Sequence, residues 1–151
     1  MIILIDTREQ KPLWTKNTAY TKIERTGLVT GDYSIKGLEH MICIERKSTT
    51  DLFTTLGRGH KRFKRELERA SELDYFAIVI ENNYSNIKNK DFEGSYNSKM
   101  RGYVVTKILL TIHQKYKIPV FMCKDRAETK TLVKDLLSTY YKLNNDKNRK
   151  I

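Results

Sequence analysis

The sequence predicts one α/β domain: an α/β/α sandwich in which helices cover both faces of a central mixed sheet of about five strands. Three observations point there. Short β-branched apolar runs recur near residues 1–6, 75–81 and 118–122, each too short for a helix. Stretches with apolar residues at helical spacing follow them. The length, 151 residues, is that of one domain, able to bury roughly two thirds of its unfolded surface without a disulfide or metal staple.

Each element has its own signal. Residues 1–6 form a continuous apolar run ending in Asp6, as expected of a buried strand with a polar C-terminal end. Residues 10–27 mix Lys, Thr, Asn and Pro12 and predict an irregular excursion, with Trp14 a core or flap residue. Residues 27–35 and 41–47 predict two further strands turning at Gly37. Ser48, Thr49, Thr50 and Asp51 carry helix-capping chemistry for a short helix to Leu56, stopped by Gly57-Arg58-Gly59. From His60 a second helix follows, with Phe63, Leu67 and Ala70 inward. Residues 75–81 predict a strand. Residues 82–99, polar and Asn-rich, predict a long surface loop. Val104, Val105, Ile108, Leu109, Ile112 and Tyr116 predict a helix over 101–117, residues 118–122 a short strand, and Ala127 to Tyr140 the inner stripe of a last helix over 125–143. A polar tail, 144–151, completes the expected organisation, with 1–143 as the domain.

Lys and Arg number 29 against 18 Asp and Glu, a net charge of +11, which makes a polyanion the leading candidate partner. The balance is uneven: residues 1–75 carry a net +3 and residues 76–151 a net +8, so the acids crowd into the first half. No run approaches 18 apolar residues, so no membrane span is expected. Asp6, Arg8 and Glu9 follow the apolar start at once, so no export signal is expected. Cys43 and Cys123 sit in apolar runs and suit buried thiols in a reducing cytoplasm. They cannot make a zinc site alone, and His60 and His113 have no ligand spacing to one another.

The crowded acids suggest chemistry. Asp6, Asp32 and Glu45 fall at or beside strand ends, and Lys47 shares a strand face with Glu45. If the second and third strands form a hairpin, Asp32 lies across from Glu45, and two carboxylates converge with an ammonium. Hard carboxylate oxygens hold Mg²⁺ or Mn²⁺, which neutralises phosphoryl oxygens and activates water, while an adjacent Lys orients that water or holds developing charge. Taken alone, the spacing also fits a solvated hairpin edge carrying mixed charges. Density counts against that: Asp6, Glu9, Asp32, Glu45 and Asp51 all fall within 51 residues, and like charges buried together need a cation.

These residues resemble the XPF-type nuclease family. Ile5-Asp6-Thr7-Arg8-Glu9 is similar to its V-D-x-R-E element. Gly31-Asp32, Ile44-Glu45-Arg46-Lys47-Ser48 and Asp51-Leu52 are similar to its G-D…E-R-K-x-x-x-D signature. The likeness runs on through Gly57-Arg58 and the Arg62 to Arg69 segment and covers roughly residues 2–140. It implies a restriction-endonuclease-like core and Mg²⁺- or Mn²⁺-dependent cleavage of DNA, often at forks, flaps or junctions in replication, recombination or repair. It implies Asp32 and Glu45, with Asp6, as metal ligands, Lys47 acting on the attacking water, and Asp6, Glu9 and Asp51 completing an acidic shell that Arg46 assists. No small-molecule cofactor is implied, and pairing of two chains is an expectation from the family alone. Two departures stand out. No tandem helix-hairpin-helix module is expected beside the domain, and Arg62 stands where larger members carry Gln.

Several positions keep two readings. Asp51 suits a helix cap as well as the shell, Glu9 a surface loop, and Arg8 a phosphate contact or a salt bridge. Arg58, Arg62, Arg65 and Arg69 recur along one helix face that Lys61 and Lys64 widen; it could track a phosphate backbone or be solvated through Arg62–Glu66 and Lys64–Glu68 pairs. Lys88, Lys90, Lys99 and Arg101, interleaved with Tyr84, Phe92 and Tyr96, could meet bases or form an ordinary loop. A non-catalytic DNA-binding module and a basic RNA-binding protein remain the alternatives to an endonuclease. The intact Asp32, Glu45 and Lys47 argue against the first, and the crowded acids against the second.

Overall fold

In the computed structural model, which describes residues 1–149, the apolar runs become strands of a six-stranded mixed sheet, the first two inside it and the third at one edge. Its strands are β1 (Ile3–Asp6), β2 (Ile23–Thr26), β3 (Tyr33–Ile35), β4 (Ile42–Lys47), β5 (Tyr75–Ile80) and β6 (Val120–Met122), in the order β2-β1-β3-β4-β5-β6. β1 and β3, and β3 and β4, run antiparallel; the other neighbours run parallel. The sheet has one strand more than the sequence predicts. That strand, β2, is polar and largely exposed at the sheet edge, so it lacks the apolar alternation that marks a strand.

Alternation along the strands divides the core. Leu4, Cys43, Ile78 and Ile80 face one side, against α1 (Thr49–Leu56), α2 (His60–Ala70), α3 (Tyr84–Asn89) and α4 (Gly102–Lys115). Ile3, Ile5, Tyr33, Ile42, Ile44, Ala77 and Val79 face the other, against α5 (Arg126–Arg149) and the β1–β2 excursion. Phe63, Leu67 and Ala70 are buried along α2 as predicted. Trp14 is a core residue: its ring meets the edge of Tyr33 at 5.8 Å, and the Leu13 N–H donates to the Tyr33 hydroxyl at 2.9 Å. Cys43 and Cys123 are buried free thiols.

Two expectations need correction. The 82–99 stretch is not one open loop: it holds α3 and a 3-10 turn at Ser95–Asn97. α3 is anchored by a single buried apolar side chain, Ile87, and capped by Asn83, whose side chain accepts from the Asn86 N–H. One apolar residue in a polar segment gives no readable period. A Cβ on Gly102 would overlap the Ile87 and Lys88 carbonyls, so the start of α4 closes onto α3 only as glycine. The expected polar tail is helical through Arg149, because α5 continues past 143; positions 150–151 of that tail lie outside the described residues.

Ile87→Ala tests the first correction. Emptying a fully buried site costs about 2–4 kcal/mol, whereas the same change in a surface loop costs almost nothing. Urea denaturation measures the difference.

Candidate active site

The register Tyr33↔Ile44 between β3 and β4 brings Asp32 opposite Glu45, and Ile5↔Tyr33 between β1 and β3 brings Asp6 into the same row. All three point to the face covered by α1 and α2. The turn that delivers Asp32 requires glycine before it: Gly31 has φ +77°, and a Cβ there would overlap the Cys43 sulfur. Asp32 is then locked into the ladder. Its N–H donates to the Ile44 carbonyl at 2.9 Å, and its carboxylate accepts the Arg46 N–H at 2.8 Å.

Lys47, the last residue of β4, shares the face of Glu45 and lies 3.1 Å from its carboxylate. Burial pulls the Lys47 ammonium down, but the charge and hydrogen bond of Glu45 outweigh it, and the group stays above its ordinary value. Lys47 is therefore a cation. The acids behave in the opposite way. Burial and the neighbouring Glu45 charge push the Asp32 carboxyl well above its usual range, and the Arg46 N–H compensates in part. Burial raises the Glu45 carboxyl too; Lys47 opposes this and Glu66 adds to it. Two desolvated acids with one ammonium between them suit a divalent cation held by hard oxygens.

The residue between Glu45 and Lys47 points the other way. Arg46 projects to the opposite face, where its Nε and Nη2 donate to the Glu9 carboxylate at 2.8 and 2.7 Å, and its Nη1 donates to Glu81 at 3.0 Å. Burial favours a charged Glu9 less, but hydrogen bonding from Arg46 outweighs it and holds Glu9 below its ordinary value. Glu81 also accepts from Arg126 at 2.9 Å, and Arg126 donates to the Lys11 and Pro12 carbonyls. Glu9 and Arg46 thus form a buried tie under the site.

The other predicted residues divide. Asp51 joins Asp32, Glu45 and Lys47 in one cleft of about 800 Å³, whose wall Arg8, Glu9 and Arg46 also line. It stands in the first turn of α1, where its N–H donates to the Ser48 side chain; Ser48 is the cap, and the Asp51 carboxylate faces the cleft. Asp6 keeps to its own loop. Its carboxylate accepts the Leu28 N–H at 2.9 Å and the Arg8 Nε–H at 2.8 Å. Arg8 is exposed and also holds the Leu28 carbonyl. Among the described residues, no three His, Cys, Asp or Glu side chains converge to hold an ion. Asp6 nevertheless lines one hollow with Asp32, Glu45 and Glu66, on the face they share. Arg62 and Arg69 line a hollow beside Asp32 and Glu45, and Arg58 lines a separate hollow at the end of α1. Lys61 and Arg65 are exposed along α2 and line neither.

Glu66 and Arg126 escape the sequence reading, which reaches Glu81 only as a candidate addition to the gathered acids. Glu66, on α2, lines the hollow with Asp32 and Glu45, and its 4.0 Å approach to Arg62 is loose. Its signal was present: three residues after Phe63 and one before Leu67, it sits at the edge of the inward stripe. Glu81 and Arg126 are 45 residues apart, and no local pattern links them.

The fold is that of the restriction-endonuclease-like nucleases. Within that class the chain belongs to the ERCC4-domain family, whose model matches residues 5–136, and it is an XPF-type nuclease domain. It is similar to the solved XPF from Aeropyrum pernix, with a TM-score of 0.71 and 18% identity, covering 99% of this chain and 69% of that one. It is also similar to XPF from Aeropyrum pernix in complex with DNA, with a TM-score of 0.66 and 19% identity, over 93% of this chain. The chain spans 64% of that second protein's length. No curated protein matches it. No helix among the described residues is long and apolar enough to cross a membrane.

The two faces of β4 predict opposite effects. Because the folded Asp32 pKa lies above its ordinary 3.8, the folded state binds the proton more readily than the unfolded one. The resulting penalty is absent below about pH 4 and develops as pH rises through the raised value. Asp32→Asn is therefore expected to stabilise the metal-free protein at pH 7.5 by about 1 kcal/mol, or ~3 °C, with the gain shrinking toward pH 4. Arg46→Met strands Glu9 and Glu81 and is expected to destabilise by about 3 kcal/mol or more. Thermal melts in EDTA across pH 4–8 measure both.

Proposed function

We propose that this chain is a divalent-metal-dependent endodeoxyribonuclease acting on branched DNA such as flaps, forks or junctions. One observation carries the reading: Asp32 and Glu45 face one another on a single sheet face with Lys47 3.1 Å from Glu45, in a cleft on a chain of net charge +11. Family membership and the fold support it, and one of the similar proteins was solved in complex with DNA.

Asp32 and Glu45 are the residues that would hold Mg²⁺ or Mn²⁺. Bound there, such an ion supplies Lewis-acid polarisation of a phosphoryl oxygen and makes water acidic enough to attack near neutral pH. The chain's own residues do the rest. Lys47, a cation, donates to the reacting oxygens and holds charge that develops on them. Asp51 at the cleft wall orients water through a hydrogen bond. Arg62 and Arg69 line the neighbouring hollow and position phosphates on either side of the scissile bond; Arg8, bound to Asp6, frames its edge. Arg46 and Glu9 touch no reacting atom in this scheme. They are positioning residues that hold the end of β4 rigid.

The direct test is cleavage of labelled duplex, flap, fork and four-way-junction DNA in Mg²⁺ or Mn²⁺. Cutting is expected to vanish in EDTA and to fall at least about a hundred-fold in Glu45→Gln, whose melting temperature stays at or above that of the parent, and in Lys47→Met, which strands the two acids and melts lower. Cutting that survives EDTA, or no cutting of any substrate by the parent, sinks the reading.

A further inference from the structure

The cleft over the acid pair does not end at α1. Lys47 and Asp51, in its wall, also line a second hollow of about 520 Å³ with Thr54, Thr55, Gly59 and Arg62. Thr54 in turn lines a third hollow, of about 580 Å³, with Arg58, Asn97 and Lys99. The three hollows thus follow one another along the outer side of α1, whose inner side is buried through Leu52, Phe53 and Leu56. α1 has eight residues, so the track beyond Lys47 runs roughly 12 Å.

The far end differs chemically from the acid pair. No carboxylate among the described residues lines it, and Arg58 and Lys99 are both exposed cations. Its outer rim is the 95–100 segment, and that segment is tied down. Lys90 donates to the Ser98 carbonyl at 2.6 Å, the Phe92 ring lies 5.0 Å from that of Phe53, and Met100 packs against Gly57 so closely that a Cβ would press on its sulfur. On this anchored rim Tyr96 stands 86% exposed, directly before Asn97. An exposed aromatic side chain one residue from a hollow lined by two cations and an amide suits an unpaired nucleotide. The ring stacks on a free base face, while the cations meet the phosphates. In a duplex those base faces are already stacked, so the ring has nothing to gain there.

We infer that the unpaired arm of the substrate leaves the acid pair over α1 and is held by Arg58, Lys99 and Tyr96, a single-strand subsite separate from the residues that hold the scissile phosphate. The inference rests on the branched-DNA reading and extends it to a named surface.

The test measures binding, so it does not depend on cutting. Fluorescence anisotropy in EDTA at fixed salt compares a forked duplex carrying one unpaired arm with the same duplex blunt. The subsite predicts that Tyr96→Ala and Arg58→Ala/Lys99→Ala each weaken fork binding about ten-fold and leave blunt-duplex binding within about two-fold. Tyr96→Phe keeps the ring and is expected to bind as the parent does. The double variant is expected to lower the salt slope by about one to two for the fork alone. A 2-aminopurine in the arm is expected to be quenched by the parent and not by Tyr96→Ala. A parent protein that shows no preference for the fork overturns the branched-DNA reading and the subsite with it. A fork preference that survives both the Ala and the double-Ala variants overturns the subsite alone.

Discussion

Arg46 is gripped through two nitrogens by Glu9 and through a third by Glu81, and it lies on the face of β4 away from the acid pair. That guanidinium joins the loop after β1, the end of β4 and the end of β5, and Glu81 extends the tie through Arg126 to the start of α5. Buried charges of this kind are costly unless fully paired, and here they are paired: among the described residues, no buried side-chain nitrogen or oxygen lacks a partner. The strand end carrying Glu45 and Lys47 is thereby held from behind. The site needs that support, since its own groups repel one another.

β4 thus carries two charge systems back to back, and they work in opposite directions. On one face, Arg46 and Glu9 match and stabilise. On the other, Asp32 and Glu45 are like charges under desolvation, and Lys47 neutralises them only in part. An acid pair of this kind is destabilising by construction, because its charge is only partly compensated. The apolar strands on either side carry the cost: Ile42, Ile44, Ile78 and Ile80 are fully buried.

Much of this was legible in the chain. The buried strands announced themselves as apolar runs, α2 and α4 as helical stripes, and the spacing Glu45-x-Lys47 put both side chains on one face. The hairpin expectation for Asp32 and Glu45 agrees with the observed register. What escaped reading did so for physical reasons. β2 lies at an edge and is polar, and α3 hangs on Ile87 alone. Glu66 looked like half of an exposed i, i+4 pair with Arg62. The same period-2 rule that joined Glu45 to Lys47 also turns Arg46 away, a consequence that grouping E-R-K as one motif conceals.

By itself, then, the sequence determined the α/β class, the family, and which strand face carries the acid pair, because periodicity and motif spacing are local properties of the chain. Only the tertiary structure decided which acids share a site. Asp6 bonds Leu28 and Arg8 at the edge of a hollow it shares with Asp32 and Glu45, Glu9 pairs with Arg46 in the cleft wall, and Glu66 comes in from α2. It also placed Arg58 and Lys99 in one hollow at the end of a common track, one residue from the exposed Tyr96. Those choices depend on which carboxylate finds a nearer donor once distant segments are packed together, and no spacing along the chain records that distance.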